Sequence, residues 1–270
     1  MLRPDMLETL RTMFSPPPEE ASPAIPPGER IYAIGDIHGR LDLFEALIVA
    51  IETQEATLRQ ARTSIVLLGD LVDRGPDSAM VVETARQWSK RRVIHILCGN
   101  HEEMFLRALT DKKVLRHFLR FGGAETLASY GVGKKFMKQA KLAEIQQRMV
   151  EMVPQDHLDF IAGFKDRVEV GDYLFVHAGI DPARPLDDQK RQDLRWIREP
   201  FLSHQKPFGA IVVHGHTISD RVEERSNRIG IDTGAYNSGK LTALVLEGTR
   251  RHFMEARQKD GAISVVNSRG

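Results

Sequence analysis

The sequence predicts an α/β protein with a mixed sheet or a two-sheet sandwich, and three observations carry that reading. Five short apolar runs lack the polar alternation of half-exposed strands: IYAIGD (31–36), SIVLLGD (64–70), RVIHILCGN (92–100), DYLFVHAG (172–179) and AIVVHGHT (210–217). Runs of that kind mark strands buried on both faces. The segments between the first three, LDLFEALIVAIETQEATLRQA and DSAMVVETARQWSKR, carry helical patterning, so strand and helix alternate as in parallel crossover units.

The elements follow in chain order. Leu7, Leu10, Met13 and Phe14 share one face of a possible short helix at a weakly packed terminus. Residues 15–28, SPPPEEASPAIPPG, hold six prolines and read as an extended, poorly ordered linker. The expected organisation is therefore a Pro-rich tail over 1–29 and one folded domain over 30–270. Within it, residues 102–168 are mostly helical and rich in Lys, Arg and Gln, with breakers at Gly122, Gly123 and Gly131. They read as a helical insertion over one end of the sheet. The stretch RIGIDTGAYNSGKLTALVLEG (228–248) reads as antiparallel strands joined by turns.

Composition narrows the class. With 41% apolar and 28% charged residues the chain reads as a soluble globular protein. No apolar run approaches the ~20 residues of a spanning helix, and the first residues lack a signal-peptide core, so a cytoplasmic location is the default expectation. The formal net charge of +1 offers no global attraction to nucleic acid or membrane. A single cysteine, Cys98, excludes an intrachain disulfide and a cysteine-cluster zinc site, and reads as a buried thiol.

Each apolar run ends in residue types that bind metals: Asp36 and His38, Asp70, Asn100, His177, and His214 with His216. Sites in open α/β sheets form outside the carboxyl ends of strands, so these residues can converge although they span 180 positions. Carboxylate, imidazole and amide without thiolate suit Mn, Fe or Zn. So many donors exceed a tetrahedral site, which favours two divalent ions with Asp70 as a bridge.

The motifs GDIHG (35–39), GDLVDRG (69–75), GNHE (99–102), HAG (177–179) and GHT (215–217) resemble those of the calcineurin-like metallophosphoesterases. Within them they are most similar to the phosphoprotein phosphatase branch and its bacterial serine/threonine phosphatases. The resemblance spans roughly residues 31–247 and implies an αββα sandwich with mixed sheets. It implies one metal on Asp36, His38 and Asp70, a second on Asp70, Asn100, His177 and His216, and a lining role for His214. It also implies phosphate-clamping arginines at Arg74 and Arg198, and an acid pair of His101 oriented by Asp73. The chemistry implied is direct attack on a phosphomonoester by water activated between two divalent cations, Mn²⁺ first, without a phosphoenzyme.

Two substrate classes stay open. Phosphoserine and phosphothreonine in proteins are the first expectation, because Asp73 and Glu102 have the protein phosphatase form. Diadenosine tetraphosphate or a related nucleotide is the alternative, since tetraphosphatases share the fold and most motifs. An inactive metal-binding adaptor is disfavoured, because no ligand or arginine is missing, and a nuclease is disfavoured by the neutral charge. The lysines of GKKFMKQAKLAEIQQR (133–148) read as a solvated helix face.

Overall fold

The computed structural model describes residues 22–269; the possible helix of Leu7, Leu10, Met13 and Phe14 lies outside them. Strand β1 (Glu29–Ile34) runs parallel to β2 (Arg62–Leu67), and β2 runs parallel to β3 (Val93–Ile96). The crossovers are α1 (Leu41–Thr57) and α2 (Ser78–Ser89). Antiparallel strands β9 (Lys240–Glu247), β10 (Arg250–Lys259) and β11 (Ala262–Arg269) complete a six-stranded sheet in the order β11-β10-β9-β1-β2-β3.

A second sheet has the order β4-β5-β6-β8-β7, with β4 (Arg167–Val170), β5 (Tyr173–Val176), β6 (Ile211–His214), β7 (Glu223–Glu224) and β8 (Arg228–Gly230). Its centre is parallel and its edges antiparallel. Alternation along β1 explains the layering. Tyr32 and Ile34 pack with Leu43, Leu47 and Trp88 of the helices, whereas Ile31 and Ala33 pack with Phe175, Val213 and Ile229 of the second sheet. Leu174, Val176 and Val212 on the far face meet Ile180, Leu194 and Phe201. Both sheets are thus buried on two sides, and the αββα sandwich follows.

Between β3 and β4 the chain is helical: α3 (Asn100–Ala108), α4 (Lys112–Phe118), a π-turn (Leu119–Gly123), α5 (Ala124–Ser129), α6 (Lys134–Gln139), α7 (Leu142–Met152) and α8 (Gln155–Ala162). These helices have their own core around Phe105, Phe118, Leu127 and Met149. Lys134, Lys135 and Lys138 of α6 are exposed, as a solvated face requires.

Two expectations differ from the structure. Residues 22–28, read as part of a poorly ordered linker, dock on the domain: Ile25 is buried, its N–H donates to Gly248 O (3.0 Å), and Ala24 N–H donates to Asp172 Oδ2 (2.9 Å). One isoleucine at a sheet edge outweighs the surrounding prolines. The strands in 228–248 do not pair with each other; β8 joins β6 in one sheet and β9 joins β1 in the other. Residues 231–239 therefore cross between the sheets, and they do so at the site.

Candidate functional site

The carboxyl ends of β1, β2 and β3 in one sheet abut those of β5 and β6 in the other. His216 N–H donates to Asp36 Oδ2 (3.0 Å), and the His177 imidazole bonds Leu68 O through Nδ1 (2.8 Å). Two groups of possible ligand atoms form there, His38/Asp70/His101 and Asp70/His177/His216, each lying within 4.8 Å and sharing Asp70. All of these residues are buried, as are Asp36 and Asn100. The six residues expected as ligands therefore lie in one cluster; His101, expected as an acid, is a member of the first group, whereas Asp36 and Asn100 adjoin the groups through His216 and His177.

Whether the site suits a cation is decided by its lone pairs. His38 Nδ1 faces Val72 O (2.8 Å) and His177 Nδ1 faces Leu68 O, so in each neutral ring Nδ1 is the donor and Nε2 is the acceptor turned to the site. Second partners of that type orient metal-binding imidazoles. His177 Nε2 then confronts Asn100 Oδ1 at 3.0 Å and Asp70 Oδ1 at 3.4 Å. Acceptor faces acceptor, and a cation between them satisfies all three. His216 Nε2 and Asp232 Oδ2 are buried without any hydrogen-bond partner. The site fits divalent ions on carboxylate, imidazole and amide donors.

Titration directions agree. Burial, with neighbouring carboxylates, raises the Asp36 carboxyl well above its ordinary range and Asp70 to about 6. Burial lowers His177 to about 4 and His216 to about 2, and holds His38 well below its usual value. Neutral imidazoles beside acids that resist ionisation form a pocket short of positive charge.

Backbone strain concentrates here. His38, Asp70, Asp73, Arg74 and His216 have φ between 46° and 74°, a region that costs non-glycine residues about 1–3 kcal/mol each. Among the described residues Asp260, in the β10–β11 turn, is the other non-glycine case. Glu102 fixes the strained loop. Its buried carboxylate accepts from Gly99 N (2.9 Å), Asp70 N (2.9 Å) and Leu71 N (2.7 Å). A Cβ on Gly99 would strike Asp70 Oδ1, so only glycine lets α3 start this close to the carboxylate.

The acid pair and the arginines follow. His101 Nδ1 lies 2.5 Å from Asp73 Oδ2, and Thr126 from the insertion donates to Asp73 Oδ1 at 2.6 Å. Arg74 reaches His38 Nε2 (2.9 Å) and His101 Nε2 (3.1 Å), with its guanidinium 4.7 Å from the Tyr236 ring centroid. Arg198 is exposed after α9 (Arg191–Trp196), and its charge contributes to depressing His216. The ion pairs in this segment belong to Arg195, bonded to Asp166 (2.6 Å) and Glu103 (3.3 Å), and to Arg191, bonded to Asp166 (3.0 Å). His214 lies outside both groups, against Phe201 and bonded to Gly215 O (3.1 Å). Cys98 is buried, and burial pushes its thiol far up, so it is inert.

Asp232, Tyr236 and Thr126 were not among the expected site residues. Asp232 is pushed up to about 6 by burial and couples to Asp36, while Tyr236 packs on His38 with ring centroids 5.5 Å apart. The only available signal was GIDTG, another glycine-flanked carboxylate after an apolar run.

Residues 29–241 match the model of the calcineurin-like phosphoesterase family. A bis(5'-nucleosyl)-tetraphosphatase PrpE [asymmetrical] of Oceanobacillus iheyensis is 25% identical over 232 residues, covering 79% of this chain and 87% of the relative. Among solved structures, a candidate diadenosine tetraphosphatase superposes with a TM-score of 0.57 at 21% identity, covering 92% of this chain and 98% of that one. A cold-active protein-tyrosine phosphatase of a Shewanella psychrophile superposes with a TM-score of 0.52 at 17% identity, covering 90% and 83%.

Proposed function

Because the chain belongs to the calcineurin-like phosphoesterases, we propose that it is a metal-dependent hydrolase of bis(5'-nucleosyl) tetraphosphates or closely related nucleotides. The metal-dependent chemistry rests on one observation above the rest: with Nδ1 of His177 turned to Leu68 O, its Nε2 meets Asn100 Oδ1 at 3.0 Å and Asp70 Oδ1 at 3.4 Å. The substrate class rests on curated relatives such as those of Oceanobacillus iheyensis and Bacillus cereus, which carry that activity in their names at 25–26% identity. They favour the nucleotide over the phosphoprotein first expected.

Asp36, His38 and Asp70 would hold one ion, and Asp70, Asn100, His177 and His216 the other, with Mn²⁺ first and Fe or Zn also compatible with these donors. When bound, the ions neutralise phosphoryl oxygens and acidify water toward a nucleophile near neutral pH. The protein's own groups do the rest. Arg74 lies over the Tyr236 ring with its planar fork aimed at the same cluster, towards His38 and His101 Nε2, where it can exchange those imidazole contacts for two phosphoryl oxygens. Arg198 approaches from the exposed side. Asp73 keeps the proton on His101 Nδ1, so any second proton sits on Nε2, from which it passes to the departing oxygen. A phosphate leaving from an anhydride needs that proton less than an alkoxide does.

Hydrolysis of phosphoserine or phosphothreonine is the second reading, and the intact Asp73–His101 pair favours it, because an alkyl ester depends on proton donation. Purified protein with Mn²⁺, offered bis(5'-adenosyl) tetraphosphate and a phosphothreonine peptide at matched concentrations, separates the two. Faster turnover of the nucleotide is expected; faster release of phosphate from the peptide would overturn the proposal.

A further inference from the structure

The insertion carries an aromatic group whose position the chemistry above does not use. Phe121 is 43% exposed, an unusual state for so large an apolar side chain. It lies inside the π-turn Leu119–Gly123, where Phe121 and Gly122 leave helical geometry and Gly122 takes φ 111°. The two helices meet there across a kink rather than through a continuous π-helix. The turn touches the centre directly, because Arg74 N–H donates to Gly122 O at 3.1 Å. His117 on α4 tilts over the Phe121 ring at 4.3 Å between centroids, and its charge reaches His101. The Arg120 guanidinium lies 5.9 Å from the same ring. Tyr236, also partly exposed, stacks on the Arg74 guanidinium.

An exposed aromatic ring whose neighbour Gly122 is hydrogen-bonded to the backbone of Arg74, with the Arg120 guanidinium beside it, matches the chemistry of a nucleotide: planar base at one end, phosphates at the other. We propose that Phe121 is the stacking platform for a nucleobase of the substrate, a specificity residue supplied by the insertion. This rests on the nucleotide reading. Its burial of apolar surface on a base, rather than on protein, accounts for a phenylalanine left uncovered at the rim.

The test is direct binding of adenosine 5'-monophosphate and ribose 5-phosphate, which share the sugar and phosphate and differ in carrying adenine or a hydroxyl at the anomeric carbon, to the Mn²⁺-loaded protein by titration calorimetry. Stacking of one base predicts that wild type binds the nucleotide roughly 5- to 150-fold more tightly than the sugar phosphate. Phe121→Ala should erase most of that ratio and Phe121→Trp should restore it, with ribose 5-phosphate binding within about twofold throughout. No base preference in wild type, or a preference that survives in Phe121→Ala, would overturn the proposal. Wild-type hydrolysis of the dinucleotide, measured separately, reports on the underlying reading, so the two can fail independently.

Discussion

Glu102→Gln puts the strained loop to the test. The carboxylate holds Leu71 N–H on Oε1 and both Gly99 and Asp70 N–H on Oε2. A glutamine presents one acceptor and one NH₂, so at least one of these buried N–H groups loses its partner and faces another donor. Rotating the NH₂ toward Leu71 orphans that N–H together with the longer Val72 contact (3.4 Å); rotating it the other way orphans Gly99 and Asp70 N–H. The cheaper choice costs about 1–3 kcal/mol. That corresponds to a fall in Tm of roughly 3–8 °C for a chain of this size. The loss should not stop at stability, because the Asp70 backbone is held at φ 50° by this contact. Released, Asp70 moves, and Mn²⁺ affinity should fall about 10- to 100-fold, as for other groups that orient ligands. Calorimetry would read both. Unchanged Tm together with unchanged Mn²⁺ affinity would refute the claim that Glu102 holds the loop.

Two further outcomes are expected. In Gly122→Ala the new Cβ would lie 2.5 Å from Arg74 N at a φ of 111°, so the turn must shift and carry Arg74 with it. Strain of about 1–3 kcal/mol and a fall in kcat/KM of at least about tenfold from the misplaced arginine should appear together in thermal and kinetic assays. Mn²⁺ should raise Tm more at pH 8 than at pH 5.5, as differential scanning fluorimetry would show. Burial lifts Asp70 to about 6 and Asp36 well above its ordinary range. Protons therefore compete with the ion below that value and release the site above it.

The five ligand-bearing strands were legible because double-sided burial leaves continuous apolar runs, and because polar residues at strand ends have one place to go in such a fold. The proposed ligands Asp36, His38, Asp70, Asn100, His177 and His216 are all buried at those strand ends. What was not legible depends on long-range pairing. β10 and β11 are polar outside a few core positions and carry no apolar run, and nothing local tells β8 and β9 to enter different sheets. Asp232 and Tyr236 owe their positions to that crossing. Asp73 and Glu102 could not identify the substrate for a related reason: one orients an imidazole and the other caps a loop, and both tasks are needed whatever group leaves.

The central claim is a two-ion centre bridged by Asp70. Elemental analysis after Mn²⁺ loading and desalting tests it most directly. Wild type should retain about two ions per chain and Asp70→Asn fewer than about one, because the shared carboxylate serves both positions. A wild type that keeps none, or an Asp70→Asn variant that keeps two, would contradict it.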